Sequence, residues 1–493
     1  MSVIFGSSSQ AVKTFQGVKT GKLRKLASKL YTDDLQSPPG DIVRRHRLEI
    51  AAHFYPGAVI SHRSALEGNV SSAGKFHLTL SGAVAPVRKL PGLEIRIWRG
   101  PDPQPEDTRT PIETGAELFT SSHPRAVLEN LQIARARAGD EPKILSAEEL
   151  ERWLDRYIRI FGQGWLDNLR SKADELSERF GWDREQQELD QLVRALKGEA
   201  SNYRLATDLA LSRSQGKPFD PDRIALFTRL HARLAAEQFM ELPSPPQAEF
   251  QNRAFWEAYF SNFIEGTKFT VEEARVIVYD PAASKTLKEN RPDDAHDVRE
   301  TYRLIIDPNI SGAVPGGASD LLELLKRRHA RMMASRLSVE PGVFKKTPNN
   351  FGSRVFVAPE LVPETLLRGW PATTDFPSPT ARALYTLFLI AEVHPFNDGN
   401  GRISRIAMNA ELERAGQTRL VIPTSLRADY LSVLEALTSQ GNPEPFISFA
   451  HKLIDLNSRM AFGSFEESHE YFRQTGALDE PSSPSLNLLT YEG

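Results

Sequence analysis

His394-Pro395-Phe396-Asn397-Asp398-Gly399-Asn400-Gly401-Arg402, with Arg405 close behind, is the stretch that decides how this chain reads. Before it, Ala383-Leu384-Tyr385-Thr386-Leu387-Phe388-Leu389-Ile390-Ala391 is apolar nearly all round, which predicts a central buried helix. After it, Ile403, Ile406, Ala407, Ala410 and Leu412 recur at helical spacing until Gly416, a natural C-terminal cap. The expectation is helix, tight loop, helix. Gly399 and Gly401 open backbone conformations closed to other residues and let the chain approach a ligand. Their amides lie where the next helix begins, which suits phosphate oxygens. Arg402 and Arg405 leave neighbouring positions of that helix as cationic phosphate ligands. Asp398 is a hard oxygen ligand suited to Mg²⁺, which commonly arrives with nucleotide phosphates. His394 can take a proton near neutral pH. Each residue alone is an ordinary loop side chain, but no core requires them in this order, and together they point to a nucleotide-using transferase.

Working outward, the 493 residues suggest about three domains of ~150 residues each. Hydrophobic content of 40% and charged content of 25% supply a sizeable core and argue against wholesale disorder. A net charge of −3 gives no global drive toward nucleic acid, so local basic clusters must carry any such claim. The absence of cysteine excludes disulfides, thiol nucleophiles and thiolate metal sites, and fits a reducing, cytoplasmic setting. Met1-Ser2-Val3-Ile4-Phe5-Gly6 has no charged and apolar leader pattern, and the run near Leu384–Val393 is too short to span a bilayer. A soluble protein without a membrane partner is expected.

At its centre the sequence resembles the Fic family, whose signature HPFxDGNGR is matched at every fixed position from His394 to Arg402, with Arg405 as the second arginine. The resemblance implies an all-α catalytic domain that transfers AMP from ATP to a hydroxyl side chain of a target protein. It implies His394 as the base and Asp398 as the Mg²⁺ ligand. Asn400 and the loop amides at Gly399 and Gly401 would cradle phosphates, and Arg402 and Arg405 would hold the β- and γ-phosphates. Phe396 would anchor the loop.

Upstream, Ser261 and Glu265 stand one turn apart on a predicted helix, with Glu265 beside Gly266 at its end. A carboxylate there opposes the helix dipole unless a cation is near. Ser261-x-x-x-Glu265-Gly266 resembles the family's inhibitory motif, which implies that Glu265 pairs with Arg405 and autoinhibits the enzyme in cis. Residues 341–359 suit a β-hairpin, with Val355 and Val357 alternating around Phe356, and resemble the family's target-docking flap. Tyr430, after Arg427, resembles the adenine-side wall; a core tyrosine is the alternative. Thr438 falls where some relatives carry asparagine.

The N-terminal residues are locally basic: Lys13, Lys19, Lys22, Arg24, Lys25, Lys29, then Arg44, Arg45, His46 and Arg47. Leu23, Leu26, Ala27 and Leu30 read as a short helix, and Ile42, Val43, Leu48, Ile50, Ala51 and Phe54 as a second pattern. Small helices with a basic face suit a winged-helix module that would bind DNA. Two segments, Lys22–Tyr31 and Tyr55–Leu66, resemble the N-termini of AbiE-type antitoxins and regulators. Phe76, Leu78 and Leu80, and Leu93, Ile95 and Ile97, alternate as strands do. Ser146-Ala147-Glu148-Glu149 is a capping box opening a helix striped by Leu150, Trp153, Leu154, Tyr157, Ile158 and Phe161.

The chain is thus expected to be mainly α. A possible winged-helix module (1–70) and a small β-containing region (71–120) come first, then a helical middle region (121–241). A linker at Leu242–Pro246 leads into the Fic domain (242–462), whose inhibitory helix is near 255–266, and a poorly ordered tail (463–493) ends the chain. Rival readings are transfer of another phosphate-containing group, removal of AMP, and a DNA-binding, antitoxin-like regulator whose Fic domain senses nucleotide. The target protein and the oligomeric state, with a homodimer left open, are not fixed by the sequence.

Overall fold

A computed structural model of the protein describes residues 3–6, 11–82, 86–112, 116–134, 139–280, 291–351, 354–370, 376 and 378–480. Contacts divide the chain into two compact units, Met1–Gly216 and Lys217–Gly493. No described helix is long and apolar enough to cross a membrane.

In the first unit β1 (Val3–Phe5), β2 (Arg24–Ala27) and β3 (Leu30–Thr32) form a sheet of order β1-β3-β2, with α1 (Ala11–Lys19) before the β2–β3 hairpin. The helix expected over Leu23–Leu30 is therefore a hairpin. Leu26 and Leu30 do share the core, but from facing strands across a turn in which Lys29 has φ +60°. A spacing of four residues across a tight turn imitates a helical one.

Next come α2 (Pro39–Arg45), α3 (Arg47–Phe54), β4 (Val59–Ile60), α4 (His62–Glu67), β5 (Lys75–Leu80), β6 (Arg88–Leu90), β7 (Leu93–Arg99), β8 (Thr108–Pro111) and β9 (Glu117–Thr120). Strands β4 to β9 make one mixed sheet of order β6-β7-β5-β4-β9-β8, parallel at β5/β7 and β4/β9. A boundary at 70/71 would cut this sheet and its core, since Ile42, Ile50 and Ile60 pack with Phe76, Leu78 and Ile95. Helices α5 (His123–Asn130), α6 (Ala147–Phe161), α7 (Gly164–Phe180), α8 (Asp183–Leu196) and α9 (Asp208–Ser214) complete the unit. The Ser146 capping box is formed as its sequence predicts.

The second unit is almost wholly helical. Helices α10 (Pro221–Ala235), α11 (Gln247–Ile264), α12 (Val271–Tyr279), α13 (Pro292–Ile306) and α14 (Ala318–Met332) precede a two-stranded hairpin, β10 (Asn350–Phe351) and β11 (Arg354–Val355). Then follow α15 (Val362–Gly369), α16 (Pro379–Val393), α17 (Asn400–Arg414), α18 (Arg427–Gln440), α19 (Glu444–Arg459) and α20 (Phe465–Gln474). Helix α16 is buried nearly all round, as its apolar sequence requires, and packs along α17 at the centre of the larger core.

Leu242–Pro246, expected as an interdomain linker, lies inside this unit. Leu226, Phe227, Leu230 and Leu234 of α10 belong to the same core as α16. The proline-rich segment is a strap pinned to the chain after α17: Thr418 N–H donates to Leu242 O at 2.8 Å, and Ser244 N–H to Gly416 O at 3.0 Å. The expected tail is likewise partly ordered. Phe472 of α20 is fully buried against Trp256 and Phe260 of α11, while residues from 481 onward lie outside the described ones.

Candidate active site

The loop joins α16 to α17 through two left-handed residues, His394 (φ +53°) and Gly399 (φ +76°). The αL position after a helix is glycine's by preference, and a histidine there costs roughly 1 kcal/mol or more. That strain sits at the residue singled out as the base, as strain at functional sites tends to. A β-carbon on Gly399 would meet Met332 Cε at 2.9 Å, a flexible side-chain end that can move aside, so the call for glycine comes from φ.

Asn400 closes the loop on itself. Its Oδ1 accepts from Phe396 N–H at 2.8 Å and its Nδ2 donates to Phe396 O at 2.9 Å. The side chain expected to touch phosphate is thus committed to holding the loop's shape. Phe396 is fully buried and stacks on His329 of α14 at 3.8 Å, with an interplanar angle of 2°. Nδ1 of His329 accepts from Gly342 N–H at 2.9 Å, so the proton is on Nε2, which donates to Asp398 O at 3.0 Å. Burial lowers the pKa of His329 to about 4, keeping that tautomer neutral. The sequence reading missed this buttress, because a histidine in a helix face carries no mark of its partners.

His394 stacks face to face on Phe356, with ring centroids 3.7 Å apart. Burial, then the Lys345 charge, hold its pKa down to about 3, so the imidazole is neutral over the physiological range. Its Nδ1 lies 3.4 Å from Ala391 O, an atom that can only accept, which favours the proton on Nδ1 and leaves the Nε2 lone pair free. Asp398 is half exposed; its Oδ1 accepts from Gly399 N–H at 2.6 Å and its Oδ2 lies 3.6 Å from Arg402.

The two arginines are buried and differently held. Arg405 donates from Nε to Ser261 Oγ at 3.0 Å, and from Nη2 to Ser261 O at 2.9 Å and Glu265 Oε1 at 2.6 Å. Arg427 Nε donates to Ile264 O at 2.8 Å. The end of α11 is therefore ringed by cations, which is what allows Glu265 to stand there. Gly266 leaves the helix at φ +97°. The Glu265 carboxylate lies over the first turn of α17, so close that a β-carbon on Gly401 would run into Oε1. Arg402 instead donates to Asp297 Oδ2 of α13 at 2.6 Å and to Asn262 Oδ1 at 3.3 Å. Asp297 also accepts from Arg336 at 2.9 Å and was not anticipated.

Two expected contacts differ. Tyr430 is fully buried, behind Arg405 (5.9 Å from guanidinium carbon to ring) and beside Phe449, so it offers no face to an adenine. In the flap, Val355 is 61% exposed whereas Val357 is 1% exposed and part of the core. Strand β11 ends at Val355, so alternation does not carry through to Val357.

The loop thus sets a neutral His394 in left-handed backbone ahead of the N-terminus of α17, where Arg405 holds Glu265. Residues 320–412 match the family model described as Fic/DOC family. Protein adenylyltransferase Fic of Drosophila persimilis is 30% identical over 219 residues, 41% of this chain and 42% of the relative. Protein adenylyltransferase Fic of Nematostella vectensis is 29% identical over 243 residues, 46% of this chain and 55% of the relative. The chain thus spans about half the length of these curated relatives. Among solved structures it is similar to Fic-1 from C. elegans, with a TM-score of 0.35 and 16% identity, over 67% of this chain and 98% of that one.

Proposed function

We propose that the protein is an adenylyltransferase that moves AMP from ATP to a hydroxyl side chain of a target protein, and that Glu265 inhibits it in cis. The target oxygen bonds to the α-phosphorus, the bond from that phosphorus to its bridging oxygen breaks, and pyrophosphate leaves. The hydroxyl proton passes to Nε2 of His394. Positioning and charge neutralisation carry most of such a displacement. The observation that carries the reading is the Glu265 carboxylate seated over Gly401 and paired with Arg405. A carboxylate held at a helix N-terminus by a buried arginine marks an anion site. With Glu265 in place, a γ-phosphate and the carboxylate compete for Arg405, and ATP is held unproductively.

A half-exposed Asp398 fits a Mg²⁺ that arrives with the nucleotide, since such ions take one or two carboxylates and keep phosphate and water ligands. When bound, the ion would neutralise phosphate charge.

ATP labelled on the α-phosphate and, separately, on the γ-phosphate tests the reading with the wild type, Glu265→Gly and Glu265→Gly/His394→Ala. Label from the α-phosphate in Glu265→Gly alone is the expected result. Label from the γ-phosphate would make the protein a kinase, and no label in any variant would refute the transfer reading. Release of AMP from a modified protein by Glu265→Gly would mean that the same residues run in reverse.

A second reading, binding of duplex DNA by the N-terminal unit, is favoured by one observation. Lys13, Lys19, Lys22, Lys25 and Lys29, on α1, the β2–β3 hairpin and the loop between them, are all exposed, and among the described residues none pairs with a carboxylate. The hairpin would serve as a wing. Binding that weakens steeply with salt supports this reading; no binding at low salt rejects it.

A further inference from the structure

Glu392 is a carboxylate with no exposed surface, in the last turn of α16 and two residues before His394. Burying a charge is costly unless it is paired and hydrogen-bonded, and three elements supply its partners. Arg354 of β11 donates to Oε2. Thr438 Oγ1 of α18 donates to the same oxygen at 2.6 Å, which commits the hydroxyl of that residue. Arg223 of α10 pairs with Oε1 at 3.0 Å. Arg223 also donates from Nη2 to Val355 O at 2.9 Å, so it grips the flap backbone while Glu392 grips the flap side chain.

The next residue in the flap is Phe356. Arg354 stands over its ring at 4.9 Å, and that ring also stacks on the imidazole of His394 at 3.7 Å. Phe356 N–H donates to Asn349 O at 3.3 Å, and Asn349 Nδ2 to Phe396 O of the catalytic loop at 3.0 Å. The flap strand is thus tied to the base through one buried carboxylate and two cations, with Phe356 as the piece that touches the ring.

We infer that Glu392 is a positioning residue: through Arg354 and Arg223 it latches the flap at the height that stacks Phe356 on His394, and so sets where a target's hydroxyl is presented. The inference rests on the adenylyltransferase reading for its consequence but not for its geometry. A side chain that merely stabilised the core would have no reason to gather both the flap's Arg354 and the Arg223 that holds the flap backbone. The latch concerns the protein substrate rather than ATP, because none of its members reaches Arg405, Gly401 or Asp398.

The test uses the full chain carrying Glu265→Gly, with Glu392→Gln added. Arg354→Gln serves as the partner on the flap side, where loss of folding is less of a risk. Hydrogen exchange in peptides spanning Arg354 to Val357 should speed up about tenfold or more in both variants, while peptides of α17 stay as they were. KM for the protein target should rise about fivefold or more with KM for ATP unchanged, and Glu392→Asp should restore part of it. Unchanged flap exchange in Arg354→Gln, or a loss of ATP affinity equal to that for the target, would overturn the latch. Faster flap exchange with no AMP transfer in any variant would leave the latch standing and refute the adenylyltransferase reading instead.

Discussion

Arg402 and Arg405 leave the same turn of α17 and are both buried, yet the two sides of the site hold them in opposite ways. On the α13 side, Arg402 meets Asp297, which is wholly enclosed and shared with Arg336, itself paired with Asp294 at 2.6 Å. On the α11 side, Arg405 meets Glu265, a residue 28% exposed on its side chain at the C-terminal end of a helix. An enclosed carboxylate between two guanidinium groups has nowhere to go. One at a helix terminus, next to a glycine, can leave for water at small cost. The difference predicts one fixed arginine and one switchable one, although sequence spacing makes the two look equivalent.

The largest effect expected from that contrast is on the fixed side. Asp297→Ala leaves Arg402 and Arg336 facing each other without their shared anion, and breaking a buried pair in this way costs about 3–5 kcal/mol. Chemical denaturation of the second unit should show the loss. A change under ~1 kcal/mol would mean that the α13 side is no more fixed than the α11 side, and the contrast would fail.

How much of this was legible in the sequence follows the same line. The loop could be read because its chemistry is local, from His394 to Arg405, and its glycines and arginines have few other uses in that order. Glu265 could be read only through the resemblance of Ser261-x-x-x-Glu265-Gly266 to an inhibitory motif, since its place at a helix end alone reads as an ordinary surface glutamate. Asp297 could not: in Pro292-Asp293-Asp294-Ala295-His296-Asp297 it looks like one more acid in the first turns of a helix. His329 and Glu392 were hidden for the same reason, since burial and long-range partners leave no local trace. At the N-terminus the misreading had a different cause. Leu26 and Leu30 bury from two strands at a spacing that a helix also produces, and the lysine that makes the turn, Lys29, is not a residue that announces one.

On the switchable side, Glu265→Gly should change stability by under ~1 kcal/mol, because a partly exposed pair is screened by solvent. It should tighten ATP binding about tenfold by leaving Arg405 to the phosphate. Titration calorimetry with ATP reads the affinity directly. Unchanged affinity, with Arg405→Ala also silent, would show that the carboxylate and the nucleotide do not compete. Ser261→Ala should have a smaller effect in the same direction. It removes one acceptor of Arg405, the hydroxyl at 3.0 Å, and leaves both the backbone carbonyl and Glu265. A release of two- to threefold in ATP affinity is about what one hydrogen bond of ~0.5 kcal/mol supports. Activation equal to that of Glu265→Gly would shift the switch from the carboxylate to the hydroxyl.

The smallest expected effect is no effect, and it concerns the base. An exposed histidine titrates near 6.5, and a base of that kind would lose activity through an acid limb in this range. Burial, with the Lys345 charge second and Arg354 further on, holds His394 at about 3 against the opposing Ala391 carbonyl and Asp398. A depressed pKa means that the neutral, proton-accepting form persists until the pH falls toward that value. Lys345 is itself lowered to about 7 by burial, then by Arg223, so its charge fades above neutrality. Losing it removes the second cause of the His394 shift and leaves the first, so the histidine still lies below the ordinary range. The Glu265→Gly enzyme should therefore show no limb from His394 between pH 5 and pH 8. The imidazole signal of His394, assigned against His394→Ala with labelled histidine, should stay in its neutral position over the same span. A titration near 6.5 would mean that Phe356 does not cover the ring in solution, and that the base is as open as Glu265 rather than as enclosed as Asp297.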